Sequence, residues 1–217
     1  MRFFLVFAFL VAIFGCGQQQ KSSESSSSTA PQQTDVKLPK IVAFGNSLTA
    51  GLGLPLNQSY PAILQKLLET DGFKYEVINA GVSGDTTTGG LRRIDWSLDG
   101  DVRFLILELG ANDVLRGQPI TLVKSNLGAI IEKAQKKNVK VLMSGMEAPY
   151  NAGPEYRKEV HQAFLDLQAQ YDVIPIPFIL KDVFGHEKLI QEDGSHPTAE
   201  GAKLIAENVY KALKPLL

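Results

Sequence analysis

Three side chains of the types that can perform acyl transfer occur where folding could bring them together. Ser47 directly follows a short apolar run that ends in Gly45 and Asn46. Much later, Asp193 and His196 are three residues apart, a spacing that lets a carboxylate in a turn reach the near nitrogen of the imidazole ring. A serine hydroxyl becomes a nucleophile when a base takes its proton, and histidine is a competent base when a third group fixes its tautomer. The pattern therefore favours a Ser-His-Asp triad.

Acyl transfer also requires hydrogen-bond donors directed at the negative oxygen atom that develops in the transition state. The candidate donors are the backbone N–H groups of Ser47 and Gly81 and the side-chain amide of Asn112. Each such donor commonly stabilises the transition state by about 3 kcal/mol. We expect these three residues to form an oxyanion hole.

An alternation of strand and helix patterns from Lys40 onward must position these groups. Short apolar runs predict strands at 41–44, 75–78, 102–109, 139–143 and 173–176. Apolar residues at helical spacing predict helices near 62–68, 123–134, 160–171 and 198–213. Helical crossovers between strands require a mostly parallel sheet with both faces covered. We therefore predict an α/β fold, a three-layer α/β/α sandwich of flavodoxin-like type with about five strands.

The candidate residues fall at one predicted edge of this sheet. In such folds the ligand binds beyond the carboxyl ends of the strands, where the strand order reverses. Ser47, Gly81 and Asn112 each follow or end a predicted strand, and Asp193 and His196 precede the last helix. We expect all five residues to share one crevice.

Four blocks of this sequence resemble those of the SGNH (GDSL) hydrolases, namely Gly45-Asn46-Ser47-Leu48, Gly81, Gly110-Ala111-Asn112-Asp113 and Asp193-x-x-His196. The resemblance runs from about Lys40 to the C-terminus and is strongest to the secreted arylesterase, acyl-CoA thioesterase and lysophospholipase branch. It implies a serine hydrolase of carboxylic esters or thioesters without a metal or cofactor. By this resemblance Ser47 is the nucleophile that attacks the acyl carbon, and His196 acts first as base and then as acid. Asp193 orients the imidazole ring of His196. Removal of O-acetyl groups from glycans and a surface-tethered binding module with little turnover are the alternatives.

Asn46 departs from the family pattern, which usually has aspartate at that position. Asparagine is nearly isosteric with aspartate and can keep hydrogen bonds to the backbone, but it lacks the charge. We expect this position to open to solvent, which would screen an added charge. On that expectation Asn46→Asp should retain activity and raise the acidic limb of kcat/KM by less than about one pH unit.

Several other residues near the predicted site have less specific assignments. Ser83 is a rival nucleophile without a matching base motif, and we interpret it as a polar loop residue. We predict that His161 and His186 are solvated, His161 on the outer face of its helix. Leu115 and Tyr150 follow the third and fourth strands and could line the acyl pocket, with a packing role equally open for each.

Composition and motifs exclude several other functions. Ser47 does not lie in a Gly-x-Ser-x-Gly elbow, and no P-loop or dinucleotide-binding pattern is present. One cysteine and three histidines supply too few ligands for a zinc cluster unless carboxylates complete it. A net charge of -1 argues against nucleic acid as the main partner. The expected partner is a small-molecule or lipid acyl ester, and we expect a monomer.

The N-terminus has the pattern of an exported lipoprotein. Residues 1–15 carry an early arginine and an apolar run too short for a membrane span, typical of a signal peptide. The run Ile13-Phe14-Gly15-Cys16 resembles a bacterial lipobox, which implies a lipid on Cys16. Residues 16–39 predict a disordered Ser/Gln-rich tether, followed by a hydrolase domain at 40–217. We therefore expect lipid anchoring at the bacterial cell envelope, with an uncleaved membrane-dipping segment or a buried structural cysteine as the alternatives.

Overall fold

The computed structural model describes residues 37–217, and its centre is a five-stranded sheet. The strands are β1 (Lys40–Gly45), β2 (Glu76–Gly81), β3 (Val102–Glu108), β4 (Lys140–Ser144) and β5 (Ile174–Ile176). All four pairings are parallel, in the order β2-β1-β3-β4-β5. This is the flavodoxin-like order, and the predicted α/β/α sandwich is confirmed.

Seven α-helices connect or follow these strands in the described part of the chain. They are α1 (Ser47–Ala50), α2 (Tyr60–Thr70), α3 (Thr87–Ser97), α4 (Ala111–Leu115), α5 (Ile120–Lys136), α6 (Pro154–Gln170) and α7 (Ala199–Leu213). Of these helices, none is both long enough and apolar enough to cross a membrane. The predicted signal peptide, Cys16 and most of the predicted tether lie outside the described residues.

The two faces of the sheet bury separate hydrophobic clusters, because successive residues of a strand point to opposite faces. Along β1, Ile41 and Ala43 pack against α2 and α7. Val42 and Phe44 pack on the other face, which α3, α5 and α6 cover. Burial on both faces explains why β1 reads as an unbroken apolar run rather than an alternating one.

The sequence pattern did not predict α3, although this helix has eleven residues. Gly89 and Gly90 lie in its N-terminal part, and glycine is a poor helix former. Close packing favours glycine at both positions, since a Cβ atom at Gly90 would displace the end of the Leu109 side chain and one at Gly89 the end of the Asp85 side chain. Tertiary packing therefore overrides the helix propensity of this segment.

The chain switches sides of the sheet at β1, which has β2 on one side and β3 on the other. Ligands of open α/β sheets bind at such a switch point. Ser47 comes two residues after β1, Gly81 ends β2, and Asn112 follows β3. Gly45 pairs with both Gly81 and Glu108, so these strand ends are adjacent. The fold thus gathers the candidate residues of three segments at one edge.

Candidate active site

Ser47, His196 and Asp193 form a continuous hydrogen-bond relay. The hydroxyl oxygen of Ser47 lies 2.8 Å from Nε2 of His196. Nδ1 of the same ring lies 2.6 Å from Oδ2 of Asp193. When Nδ1 carries the proton, it donates to the carboxylate, and Nε2 accepts from the serine hydroxyl. This arrangement can move the serine proton onto the imidazole.

The turn that contains Asp193 keeps its carboxyl group ionised. Oδ1 of Asp193 accepts the backbone N–H groups of His196 and Ser195, each at 2.9 Å. The backbone hydrogen bonds from His196 and Ser195, together with the ring hydrogen bond from His196, lower the pKa of Asp193 to about 2. A carboxylate in this position fixes the ring tautomer and would stabilise the imidazolium that forms during acyl transfer.

A single tight turn presents Ser47 at the end of β1. Asn46 caps α1, because its Oδ1 accepts the N–H of Leu48 at 2.9 Å. Gly51 ends the helix with a φ of 79°, a left-handed conformation that favours glycine. The turn therefore has a fixed entry at Asn46 and a fixed exit at Gly51, with Ser47 between them.

A buried carboxyl group lies beside this turn. Glu108, the last residue of β3, is 2% exposed. Its Oε1 accepts Nδ2 of Asn46 at 2.7 Å, and its Oε2 accepts the N–H of Asn46 at 3.2 Å and the hydroxyl of Thr49 at 3.0 Å. Burial raises the pKa of Glu108 to about 7, against the opposing effect of the hydrogen bonds from Asn46 and Thr49. Glu108 thus ties the end of β3 to the turn that carries Ser47.

The expected solvent exposure of Asn46 is wrong. Asn46 is 2% exposed and faces Glu108. An aspartate there would place two carboxyl groups within hydrogen-bond distance, and carboxyl groups this close share a proton rather than ionise together. The pair would then carry the same negative charge as ionised Glu108 alone. Above about pH 7, where Glu108 of the wild type is ionised, the aspartate therefore adds no charge beside Ser47. Below that pH the pair keeps a charge that Glu108 alone loses, so the predicted rise of the acidic limb remains a prediction.

We expect Asn46→Asp to be active at neutral pH and to lose kcat/KM at alkaline pH. The carboxyl pair of the folded variant holds its shared proton more tightly than the unfolded chain does. The stabilisation is therefore present at low pH and is lost as the pH rises through the raised pKa of the pair. Profiles of kcat/KM and Tm between about pH 5 and pH 10 should fall together above about pH 7 and should fall further in the variant than in the wild type, in which Glu108 alone titrates.

A double variant supplies the control for this prediction. Asn46→Asp combined with Glu108→Gln leaves one carboxyl group and one amide at this contact, so no proton has to be shared. We expect the alkaline limb to disappear from this variant. An alkaline limb of the same size in the double variant would show that the shared proton is not its cause.

The three candidate oxyanion donors differ in whether their N–H groups already have a hydrogen-bond acceptor. The N–H of Ser47 is in the first turn of α1, where a helix offers no carbonyl to accept it. Nδ2 of Asn112 donates one hydrogen to the carbonyl oxygen of Asp85 at 2.8 Å, and an amide nitrogen carries a second hydrogen. The N–H of Gly81 donates to Oδ1 of Asn79 at 3.0 Å. Gly81 can serve an oxyanion only after the exposed Asn79 side chain rotates away.

A groove of about 630 Å³ adjoins the relay at Gly194 and Ser195. Leu115 and Tyr150 both line it, and these residues are 67% and 80% exposed. About half of the other lining residues are apolar, namely Ala111, Val114, Met146, Ala148, Pro149, Phe178, Leu180 and Phe184. Four are charged: Glu147, Arg157, Lys181 and Asp182. The groove therefore combines apolar side chains with a few charged ones next to the turn that carries Asp193 and His196.

Ser83, His161 and His186 form no hydrogen bond with the relay. Ser83 and His186 are exposed. His161 is half exposed, and its Nδ1 lies 2.9 Å from Oε1 of Glu147. Among residues 37–217, no group of three or more histidine, cysteine, aspartate or glutamate side chains is arranged to hold a metal ion.

Three polar residues near the relay were not singled out from the sequence. A charged residue at the end of the most apolar strand is a signal that could have identified Glu108. Asp85 and Arg93 form an ion pair of 2.7 Å with both side chains largely buried. They belong to the loop and helix that the periodicity did not predict, so no pattern placed them at the site.

Comparisons with known proteins identify the relatives of this chain. Residues 43–204 match the GDSL-like lipase/acylhydrolase family. Esterase TesA of Pseudomonas aeruginosa is 38% identical over 178 residues, which are 82% of this chain and 89% of that protein. Thioesterase 1/protease 1/lysophospholipase L1 of Escherichia coli K12 is 30% identical over 178 residues, 82% and 84% of the two chains.

A solved esterase structure has the same fold. The crystal structure of psychrotrophic esterase EstA from Pseudoalteromonas sp., inhibited by monoethylphosphonate, matches with a TM-score of 0.78 and 31% identity. The match covers 82% of this chain and 97% of that one. The resemblance seen in the sequence blocks is confirmed, and the chain belongs to the GDSL-like lipase/acylhydrolase family.

Proposed function

We propose that this protein is a serine esterase that hydrolyses carboxylic esters or thioesters. The relay from Ser47 through His196 to Asp193 is the observation that carries the proposal. The Ser47 oxygen attacks the acyl carbon while Nε2 of His196 takes its proton. The oxyanion accepts hydrogen bonds from the N–H groups of Ser47 and Gly81 and from the Asn112 amide. His196 then gives the proton to the leaving alcohol or thiol, which yields an acyl-enzyme.

Water completes the reaction by the same route. His196 removes a proton from the water molecule, whose oxygen attacks the acyl carbon of the ester on Ser47. The second oxyanion collapses, the Ser47 oxygen leaves, and His196 returns the proton to it. The products are the free acid and the regenerated serine.

We propose that the acyl chain of the substrate lies in the groove beside Ser195. The apolar lining supports this placement, because each buried methylene contributes about 0.8 kcal/mol. That free energy corresponds to an increase in kcat/KM of about fourfold per methylene until the groove is full. Short polar acyl groups would gain nothing from the same surface.

A panel of p-nitrophenyl esters from acetate to palmitate tests this function and substrate class. We expect hydrolysis across the panel, with kcat/KM rising with chain length and then levelling off. Acyl-CoA thioesters of the same chain lengths show whether a thiol leaving group is accepted. Activity confined to acetate would favour the O-acetyl esterase alternative, and no turnover of any ester would favour a binding module.

We also propose that a lipid on Cys16 anchors the protein at the bacterial cell envelope, on the periplasmic face of the outer membrane or at the cell surface. The lipobox-like run and the Ser/Gln-rich segment after it support this proposal. The residue directly after the cysteine is Gly17 rather than aspartate. In this respect the sequence resembles lipoproteins that are sent to the outer membrane of Gram-negative bacteria.

The Cys16→Ser variant should therefore leave the membrane fraction and appear in the soluble fraction, because it has lost the site of lipid attachment. Incorporation of labelled palmitate should be present in the wild type and absent from the variant. A wild-type protein that takes up no palmitate and fractionates as soluble would contradict the proposed anchor.

A further inference from the structure

Arg93 lies on α3 and joins the ends of two strands at the site. Its Nη1 donates to the carbonyl oxygen of Ala80 at 2.7 Å, and its Nη2 donates to the carbonyl oxygen of Gly45 at 2.9 Å. Ala80 directly precedes Gly81, and Gly45 comes two residues before Ser47. One guanidinium group therefore holds the backbone just before two of the candidate oxyanion donors.

The third donor is connected to Arg93 through Asp85. Nε of Arg93 donates to Oδ2 of Asp85 at 2.7 Å, and the two side chains are 20% and 11% exposed. The backbone carbonyl of Asp85 accepts the amide of Asn112 at 2.8 Å. A shift of Asp85 would therefore turn the Asn112 amide.

The guanidinium group is also fixed by stacking. Its central carbon lies 3.9 Å from the centroid of the Phe44 ring, which belongs to the buried face of β1. Stacking on a ring while donating to two carbonyls and a carboxylate uses the planar, forked donor geometry of arginine. A lysine ammonium at this position keeps the charge beside Asp85 but lacks that fork.

We propose that Arg93 is a positioning residue for the oxyanion hole, setting the distance between the N–H groups of Ser47 and Gly81 and, through Asp85, the orientation of the Asn112 amide. This role rests on the proposed esterase function. Oxyanion donors act on the transition state more than on the bound substrate, so misplacing them lowers kcat and leaves KM nearly unchanged. Removing one such donor commonly costs about 10²- to 10³-fold in kcat.

The test compares Arg93→Ala and Arg93→Lys with Arg92→Ala, a matched change at the exposed neighbour on the same helix. We expect kcat on a p-nitrophenyl ester to fall by about 10²-fold in both Arg93 variants, with KM within about threefold of the wild type. Affinity for a boronic acid, which presents an oxyanion to the same donors, should fall in parallel. Arg92→Ala should keep the kcat of the wild type. Added ethylguanidinium should restore at least part of the kcat of Arg93→Ala and should leave that of Arg92→Ala unchanged.

Thermal unfolding of each variant shows whether it is folded, and Arg93→Lys serves as the test if Arg93→Ala does not fold. A folded Arg93 variant with kcat within about threefold of the wild type would overturn the positioning role, as would a rise in KM with kcat unchanged. Those results leave the esterase function intact. A wild-type protein that hydrolyses no ester would overturn the proposed function and this role with it.

Discussion

Ser47→Ala is expected to lower kcat by about 10⁵-fold or more while the protein remains folded. The substitution removes the oxygen that attacks the acyl carbon, and loss of the nucleophile from other serine triads costs about as much as loss of the whole triad. The hydroxyl lies partly buried at the end of β1, so its removal should change Tm little. Initial-rate kinetics on a p-nitrophenyl ester and a thermal unfolding curve measure both effects.

Ser83→Ala is the matched control for this prediction. Ser83 is the rival serine of the sequence, and it is exposed on the loop after β2. We expect kcat and KM of the Ser83→Ala variant to equal those of the wild type. Substantial activity in Ser47→Ala together with loss of activity in Ser83→Ala would transfer the nucleophile to Ser83.

Asp193→Asn is expected to lower kcat by about 10³- to 10⁴-fold at every pH between about 5 and 9. The amide oxygen keeps the two backbone N–H groups, so the amide N–H₂ group faces Nδ1 and donates to it, which favours the wrong ring tautomer of His196. The pKa of Asp193 is about 2, which is below its ordinary value. Its stabilising contribution is therefore present above about pH 4 and is lost only as the pH falls toward 2.

Because Asp193 is fully ionised over that range, its replacement should lower activity across the whole pH profile. Glu192→Gln, at the exposed neighbouring residue, removes the same charge without touching the relay and should keep wild-type activity. A loss of less than about tenfold in Asp193→Asn would mean that the carboxylate contributes little to orienting His196.

The strands and the relay residues were predictable because each has a signature in its own segment. The strands β1, β3 and β4 are buried on both faces, so they form apolar runs. Serine and aspartate are also common in helix caps and turns, so Ser47, Asp193 and His196 were identified by their joint occurrence in the order of the family blocks. The structure places these three in hydrogen-bond contact, as a triad requires.

The polar residues that support the site were not predictable in the same way. The partners of Arg93 are backbone carbonyls 13 and 48 residues earlier, and no sequence spacing identifies a backbone acceptor. Glu108 faces Asn46 only because β1 and β3 are neighbours although other elements separate them in the chain. The same contact made the expected exposure of Asn46 wrong. These features depend on strand order and register, which a local pattern does not encode.

The most direct test of the central claim is the site of covalent modification by a fluorophosphonate. A phosphonate reacts with an activated serine, and the charge on its oxygen resembles that of the acyl-transfer oxyanion. Mass spectrometry of the digested wild-type protein should find one adduct, on the peptide that contains Ser47, and none in Ser47→Ala. An adduct on Ser83 or Ser195, or complete labelling of Ser47→Ala, would contradict the assignment of Ser47 as the nucleophile.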